Sequence, residues 1–126
     1  MADQPAKTPL QILRDARELL SDEKRWTQGA LGRDENGVLL CADQLDRAQC
    51  YCAFGGLLAA GDDATTGDFR ALPLLIDAID LQPDAGIGDW NDAPDRTHAD
   101  VLTAFDRAIA LAETGDYHSE QRGRSS

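Results

Sequence analysis

Basic residues are scarce in this sequence. Lys and Arg number 12 against 23 Asp and Glu, a net charge of −11. A phosphate-binding face needs clustered Lys and Arg, so direct nucleic-acid binding is not expected, nor is docking on an anionic membrane surface. Long apolar runs are missing too: no stretch approaches the roughly 20 residues of a membrane-spanning helix. Met1 to Lys7 hold no basic region followed by an apolar run, so no secretory signal is read and the expected compartment is the cytoplasm. Cysteine is limited to Cys41, Cys50 and Cys52, an odd count that argues against a disulfide framework. Cys50 and Cys52 are separated by one residue, not the two of a redox pair. His98 and His118 lie far from them, so no zinc spacing exists and neither a metal nor a cofactor is expected. Gly55-Gly56 lacks the following Lys and Ser/Thr of a phosphate loop, and Gly86-Ile87-Gly88 lacks the strand and helix of a dinucleotide site.

What is plentiful is Asp, Arg and Ala. A GC-rich genome yields that bias with no functional cause. A salt-adapted proteome, a surface that docks on a basic partner, or one that imitates nucleic acid yields it as well. A chain of 126 residues supports one modest core. The reading is a flexible leader over 1–7, a single helical domain over 8–114 and a flexible tail over 115–126.

Apolar spacing predicts a mainly α fold, a compact bundle of about four helices with a small β-hairpin after the first. Thr8-Pro9 is a helix-opening pair, and Leu10, Leu13, Ala16 and Leu20 follow at helical spacing to about Leu20. Ser21-Asp22-Glu23 can cap one further turn to Arg25. Asn36-Gly37 is a strong hairpin signal and predicts a ribbon of 28–33 with 38–40. A second helix is expected from an Asp43 cap to Ala60, stopped by Gly61. Its glycine pair, Gly55-Gly56, costs helix stability and is explained by another backbone passing close. A third helix is expected from Asp68 to Ile79, with Phe69, Leu72, Leu75, Ile76 and Ile79 inward. A loop then runs over 81–88. Thr97, backed by Asp100, caps a fourth helix with Val101, Leu102, Phe105, Ala108, Ile109 and Ala112 on one stripe.

The densest chemistry lies before that last helix, in Asp89-Trp90-Asn91-Asp92-Ala93-Pro94-Asp95-Arg96-Thr97-His98. Asn and Asp side chains hold tight joints by imitating backbone turns. Trp90 would then plug the core edge and Arg96 pair with Asp92 or Asp95. The competing reading is a polar cluster aimed at a ligand. Asp84, Asp89, Asp92 and Asp95 do not follow the calcium-loop pattern. Cys52, placed about two and a half turns into its helix by an Asp43 cap, reads as a buried small hydrophobe. The alternative is a nucleophile with His98 as base, Asn91 or Asp92 orienting the imidazole and Gln28 donating to an oxyanion. His98 follows directly on a helix cap, where the dipole favours a neutral imidazole.

Four blocks in order give the chain a family resemblance: Trp26-Thr27-Gln28-Gly29-Ala30, Tyr51-Cys52-Ala53-Phe54-Gly55-Gly56-Leu57, Trp90-Asn91-Asp92, and Arg96-Thr97 with the helix that follows. With these it resembles an uncharacterised family of small bacterial and phage proteins. Tyr51 stands where that pattern usually has Trp, and Gly56 where it usually has Ala. The resemblance implies no activity. It implies that Trp26, Gln28, Cys52, Trp90, Asn91, Asp92, Arg96 and Thr97 are signature residues.

The expected function is a non-catalytic protein-interaction module with a basic protein partner. The alternatives are a thiol-dependent hydrolase or transferase using Cys52, His98 and Asp92, a small-molecule pocket lined by Trp26, Trp90, Asn91 and Asp92, and a phage-type inhibitor or nucleic-acid mimic. The binding candidates are Trp26, Gln28, Trp90, Asn91, Asp92 and Arg96.

Overall fold

Thr8 opens the first helix as its residue type suggests: its hydroxyl oxygen accepts from the Gln11 N–H at 3.1 Å, and Pro9 occupies the first turn, where its missing donor costs nothing. The computed structural model describes residues 8–62, 70–79 and 86–114. The expected leader and tail, Asp68, Phe69 and Asp84 lie outside these. Helix α1 spans Pro9–Leu19 and buries Ile12, Leu13 and Ala16, with Leu20 just beyond. Asp22 then caps a 3-10 turn, Glu23–Arg25, accepting from the Lys24 N–H at 2.9 Å.

The hairpin forms, but is shorter than 28–33 with 38–40. Strand β1 is Gly32–Arg33 and β2 is Leu39–Leu40. The turn between them is fixed by the Asp34 carboxylate, which accepts from the Asn36 and Val38 N–H groups, while Gly37 takes a φ of +81°. A third strand, β3 (Cys50–Tyr51), pairs antiparallel on the other edge of β1, giving the order β2-β1-β3.

That third strand corrects the expected helix from Asp43 to Ala60. The segment divides into a 3-10 helix (Ala42–Arg47), β3, and helix α2 (Ala53–Ala60). Gln44 closes the first piece by accepting from the Cys41 N–H at 2.9 Å, so Asp43 is not the cap of α2. The chain then extends because Gln49 donates to the Arg33 carbonyl at 2.7 Å and Gly32 leaves room for the approach. A Cβ at Gly32 would lie 2.9 Å from the Cys50 oxygen and 2.9 Å from Leu45. Sheet pairing overrides the helical spacing of the side chains. The end of α2 is as expected, with Gly61 at φ +149° and its N–H donating to Leu57.

Helix α3 spans Leu72–Ile79, with Pro73 in its first turn. A short helix, α4 (Ile87–Asp92), replaces the expected loop at its C-terminal end and carries Trp90, Asn91 and Asp92 in its last turn. Helix α5 (His98–Glu113) opens on the expected capping box. Asp100 N donates to the Thr97 hydroxyl and Thr97 N to the Asp100 carboxylate, both at 3.1 Å.

The fold is mainly α, with four helices of eight residues or more and a small three-stranded antiparallel sheet among the described residues. Helix α1 packs on α2 and α5, α3 packs on α5, and α4 touches α2. The core is mostly aliphatic, with Phe105 fully buried among Ile12, Leu13, Leu57, Leu75 and Val101, and Tyr51 buried at the sheet. Outside it, Arg17 holds Asp106 and Arg14 holds Glu113, tying α1 to α5. No helix among the described residues is long and apolar enough to cross a membrane.

Candidate functional site

The signature residues meet where α4, the segment 26–29 and the start of α2 converge. A helix of six residues cannot satisfy its own ends, because its last carbonyls have no partner within it. Side chains supply those partners here. Gln28 Nε2 donates to the carbonyls of Asn91 (2.9 Å) and Ala93 (3.1 Å), and Arg96 Nε donates to that of Trp90 (2.8 Å).

Asn91 is the centre of the joint and is fully buried. Its Oδ1 accepts from the Trp26 indole Nε1 at 2.8 Å and from the Ala53 N–H at 3.0 Å. Its Nδ2 donates to the Thr27 carbonyl at 3.1 Å and to Asp92 Oδ1 at 3.0 Å. Two donors and two acceptor positions are thus all used, which is what a buried amide requires. Asp92 Oδ1 also accepts from the Gly29 N–H at 2.9 Å, where Gly29 turns with φ +82°.

Arg33, which the sequence reading did not single out, extends the joint to the hairpin. It donates to the Thr27 hydroxyl (3.1 Å) and to the carbonyls of Gln28 (3.2 Å) and Gly37 (3.3 Å). Its signal in the sequence is weak, since nothing local distinguishes it from any other surface Arg. Asp62 is likewise buried and accepts from the N–H groups of Arg70, Ala71 and Leu72.

Cys52 is the N-cap of α2, not a residue two and a half turns inside it. Its sulfur accepts from the Gly55 N–H at 3.2 Å, and its own N–H donates to the Leu31 carbonyl at 3.0 Å. Burial pushes its thiol pKa up, and the charge of Asp92 adds to that, against lowering by the Gly55 and Phe54 N–H groups. The helix N-terminus favours a thiolate, but desolvation wins, and Cys52 is held as a neutral thiol.

His98 sits at the first position of α5, with Nε2 2.6 Å from the Leu20 carbonyl. A carbonyl only accepts, so Nε2 carries the proton. The imidazole lies 6.2 Å from the Trp26 ring, centroid to centroid. Among the described residues no hydrogen bond joins His98 to Cys52, Asn91 or Asp92. Both donors of Gln28 are spent on carbonyls rather than free for an oxyanion. The structure therefore brings together Trp26, Gln28, Asn91 and Asp92 and leaves Cys52 and His98 on separate partners. No group of three or more His, Cys, Asp or Glu suited to a metal occurs among the described residues.

Trp90 and Arg96 share one further contact. The Arg96 guanidinium carbon lies 4.1 Å from the centre of the Trp90 ring, a cation–π stack. Arg96 pairs with neither Asp92 nor Asp95; its ion pair is with Asp100, at 3.9 Å.

The model of DUF6197, a family of unknown function, matches residues 4–111, and the chain belongs to that family. No curated protein and no solved structure matches the chain.

Proposed function

We propose that this member of a family of unknown function is a non-catalytic interaction module that docks on a basic protein surface. The observation that carries the reading is the coordination of Asn91. The polar groups that a reaction would need are committed to holding α4 against the segment 26–29 and α2. A neutral, buried Cys52 offers no nucleophile.

The docking face we assign is the hairpin. Val38 and Leu39 are the large hydrophobics left exposed among the described residues, at 56% and 58%. Glu35 precedes them in the turn, and Asp43 and Asp46 stand exposed on the 3-10 helix packed beside β2. Arg47 is exposed on the same 3-10 helix, so the rim carries three carboxylates against one guanidinium; an apolar centre within such a net acidic rim suits a partner with an apolar knob ringed by Lys or Arg.

Affinity capture with the full chain, at low salt and again at several-fold higher salt, tests this. The expected result is a reproducible basic partner that is released by salt and is lost with Leu39→Lys. Capture of the same proteins by Leu39→Lys, or no reproducible partner at low salt, sinks the proposal.

A further inference from the structure

Arg96 does more than close the end of α4. Its Nε is held by the Trp90 carbonyl and its plane by the Trp90 ring, so the guanidinium is fixed at one end. Its two terminal nitrogens make no hydrogen bond among the described residues; the nearest charge, Asp100 Oδ2, is 3.9 Å from NH1. That oxygen is already engaged by the Thr97 N–H in the cap. A guanidinium whose side chain is only 23% exposed thus keeps unspent donors.

Those donors border a recess of about 220 Å³ between α3, α4 and α5. Asp100, Thr103 and Arg107 follow one another along α5 at helical spacing and form its polar wall. Trp90 and Ile79 form the apolar wall. Among the described residues the charged lining is two guanidinium groups and one carboxylate, one positive charge in excess, on a chain whose net charge is −11.

We propose that this recess binds a small organic carboxylate, its apolar body against Trp90 and Ile79 and its carboxylate on the guanidinium groups of Arg96 and Arg107. The charge excess matches a monoanion. A dianion would be repelled by Asp100, and a neutral body would leave the arginine donors unmet. Planar guanidinium groups suit the two oxygens of a carboxylate. Apolar walls with a few fixed polar groups are the usual make-up of a small-ligand site. The site's lining includes Trp90 but none of Trp26, Asn91 or Asp92. It is therefore independent of the hairpin docking face.

The two indole N–H groups give a built-in comparison. Trp26 Nε1 is bonded to Asn91 inside the joint, whereas Trp90 Nε1 has no hydrogen bond among the described residues. The full chain, labelled with nitrogen-15, is titrated with sodium benzoate, sodium hexanoate, benzamide and inorganic phosphate. The expected result is a saturable shift of the Trp90 indole signal with benzoate or hexanoate and none with benzamide, while the Trp26 signal stays still. Arg107→Gln should weaken carboxylate binding about tenfold or more, since it removes a charge-assisted contact. A still Trp26 signal in that variant shows that the fold is intact. Three outcomes overturn the proposal: no saturable shift up to about 10 mM carboxylate, binding unchanged in Arg107→Gln, or inorganic phosphate binding as tightly as benzoate.

Discussion

The indole Nε1 of Trp26 donates to the side-chain oxygen of Asn91 at 2.8 Å, across 65 positions of chain. Asn91 cannot be replaced by an isostere without loss, because its two ends do opposite jobs. Asn91→Asp turns Nδ2, a donor to the Thr27 carbonyl and to Asp92 Oδ1, into an acceptor facing two acceptors. Asn91→Leu removes the acceptor from the Trp26 and Ala53 N–H groups. Each buried group left unpaired costs about 1–3 kcal/mol, so both variants should lose roughly 3 kcal/mol or more. Trp26→Phe deletes one donor while Ala53 still serves Oδ1, and should lose about 1 kcal/mol in hydrogen bonding. Urea unfolding of the three variants checks the order. Equal losses for Asn91→Leu and Trp26→Phe would contradict it.

The glycine pair of α2 divides into two unlike residues. A Cβ on Gly55 would overlap the Leu31 carbonyl, which is backbone and cannot turn aside. A Cβ on Gly56 would meet the end of the Leu20 side chain at 3.1 Å, which can give by a few tenths of an ångström. Replacing a helical Gly by Ala gains about 1 kcal/mol where space allows. Gly56→Ala should therefore be close to neutral in thermal melts. Gly55→Ala should lower the melting temperature clearly, by about 2 kcal/mol or more in stability, as overpacking does. A neutral Gly55→Ala would mean that α2 shifts freely away from the sheet.

The parts of the fold that were legible in the sequence are those set by near neighbours. Thr8 before Pro9, Thr97 with Asp100, and Gly61 after α2 each act within four residues, and each stands where local chemistry puts it. The glycine pair signalled a close backbone approach because a helix tolerates such a pair only under compulsion; the approach is at Gly55, against Leu31, while Gly56 faces only the Leu20 side chain. Strand β3 was not legible. Cys50-Tyr51 continues a helical pattern on paper and becomes extended only because Gly32 and Arg33 offer a ladder. Missing it moved the start of α2, and with it the position of Cys52. The candidate site was legible as residue types and not as partners. The choice between a joint and an open cluster rested on Trp26, Thr27 and Ala53, which are 65, 64 and 38 positions from Asn91.

Asp62 links the end of α2 to the start of α3. Its two oxygens accept from three successive N–H groups, Arg70 at 2.9 Å, Ala71 at 3.0 Å and Leu72 at 2.9 Å. This is the work of an N-cap done from outside the helix. Asp62→Ala should cost about 1–3 kcal/mol, and Asp62→Asn less, since one acceptor oxygen remains. Hydrogen exchange localises the effect: the amides of residues 70–72 should lose protection first. Unchanged protection there, with a global loss elsewhere, would show that the carboxylate serves a different purpose.

Cys52 links the joint to pH. Its pKa is raised in the folded chain, chiefly by burial, so folding favours the protonated thiol. That contribution is complete below the unfolded pKa of about 8.5 and is lost as pH rises above it toward the folded value. The stability of the wild-type chain should thus fall between about pH 8.5 and pH 10 by more than that of Cys52→Ser. Serine can still accept from the Gly55 N–H as a cap but does not ionise in this range. The same burial orders the reactivity of the thiols toward iodoacetamide at neutral pH: exposed Cys41 first, half-buried Cys50 next and buried Cys52 last. Mass spectrometry of the alkylated peptides reads that order. Urea midpoints for the two proteins at pH 7 and pH 10 read the linkage. If the two curves fall in parallel, the alkaline loss belongs to other groups. If Cys52 labels first, the thiol is neither neutral nor buried in solution, and the case against a thiol-dependent enzyme fails with it.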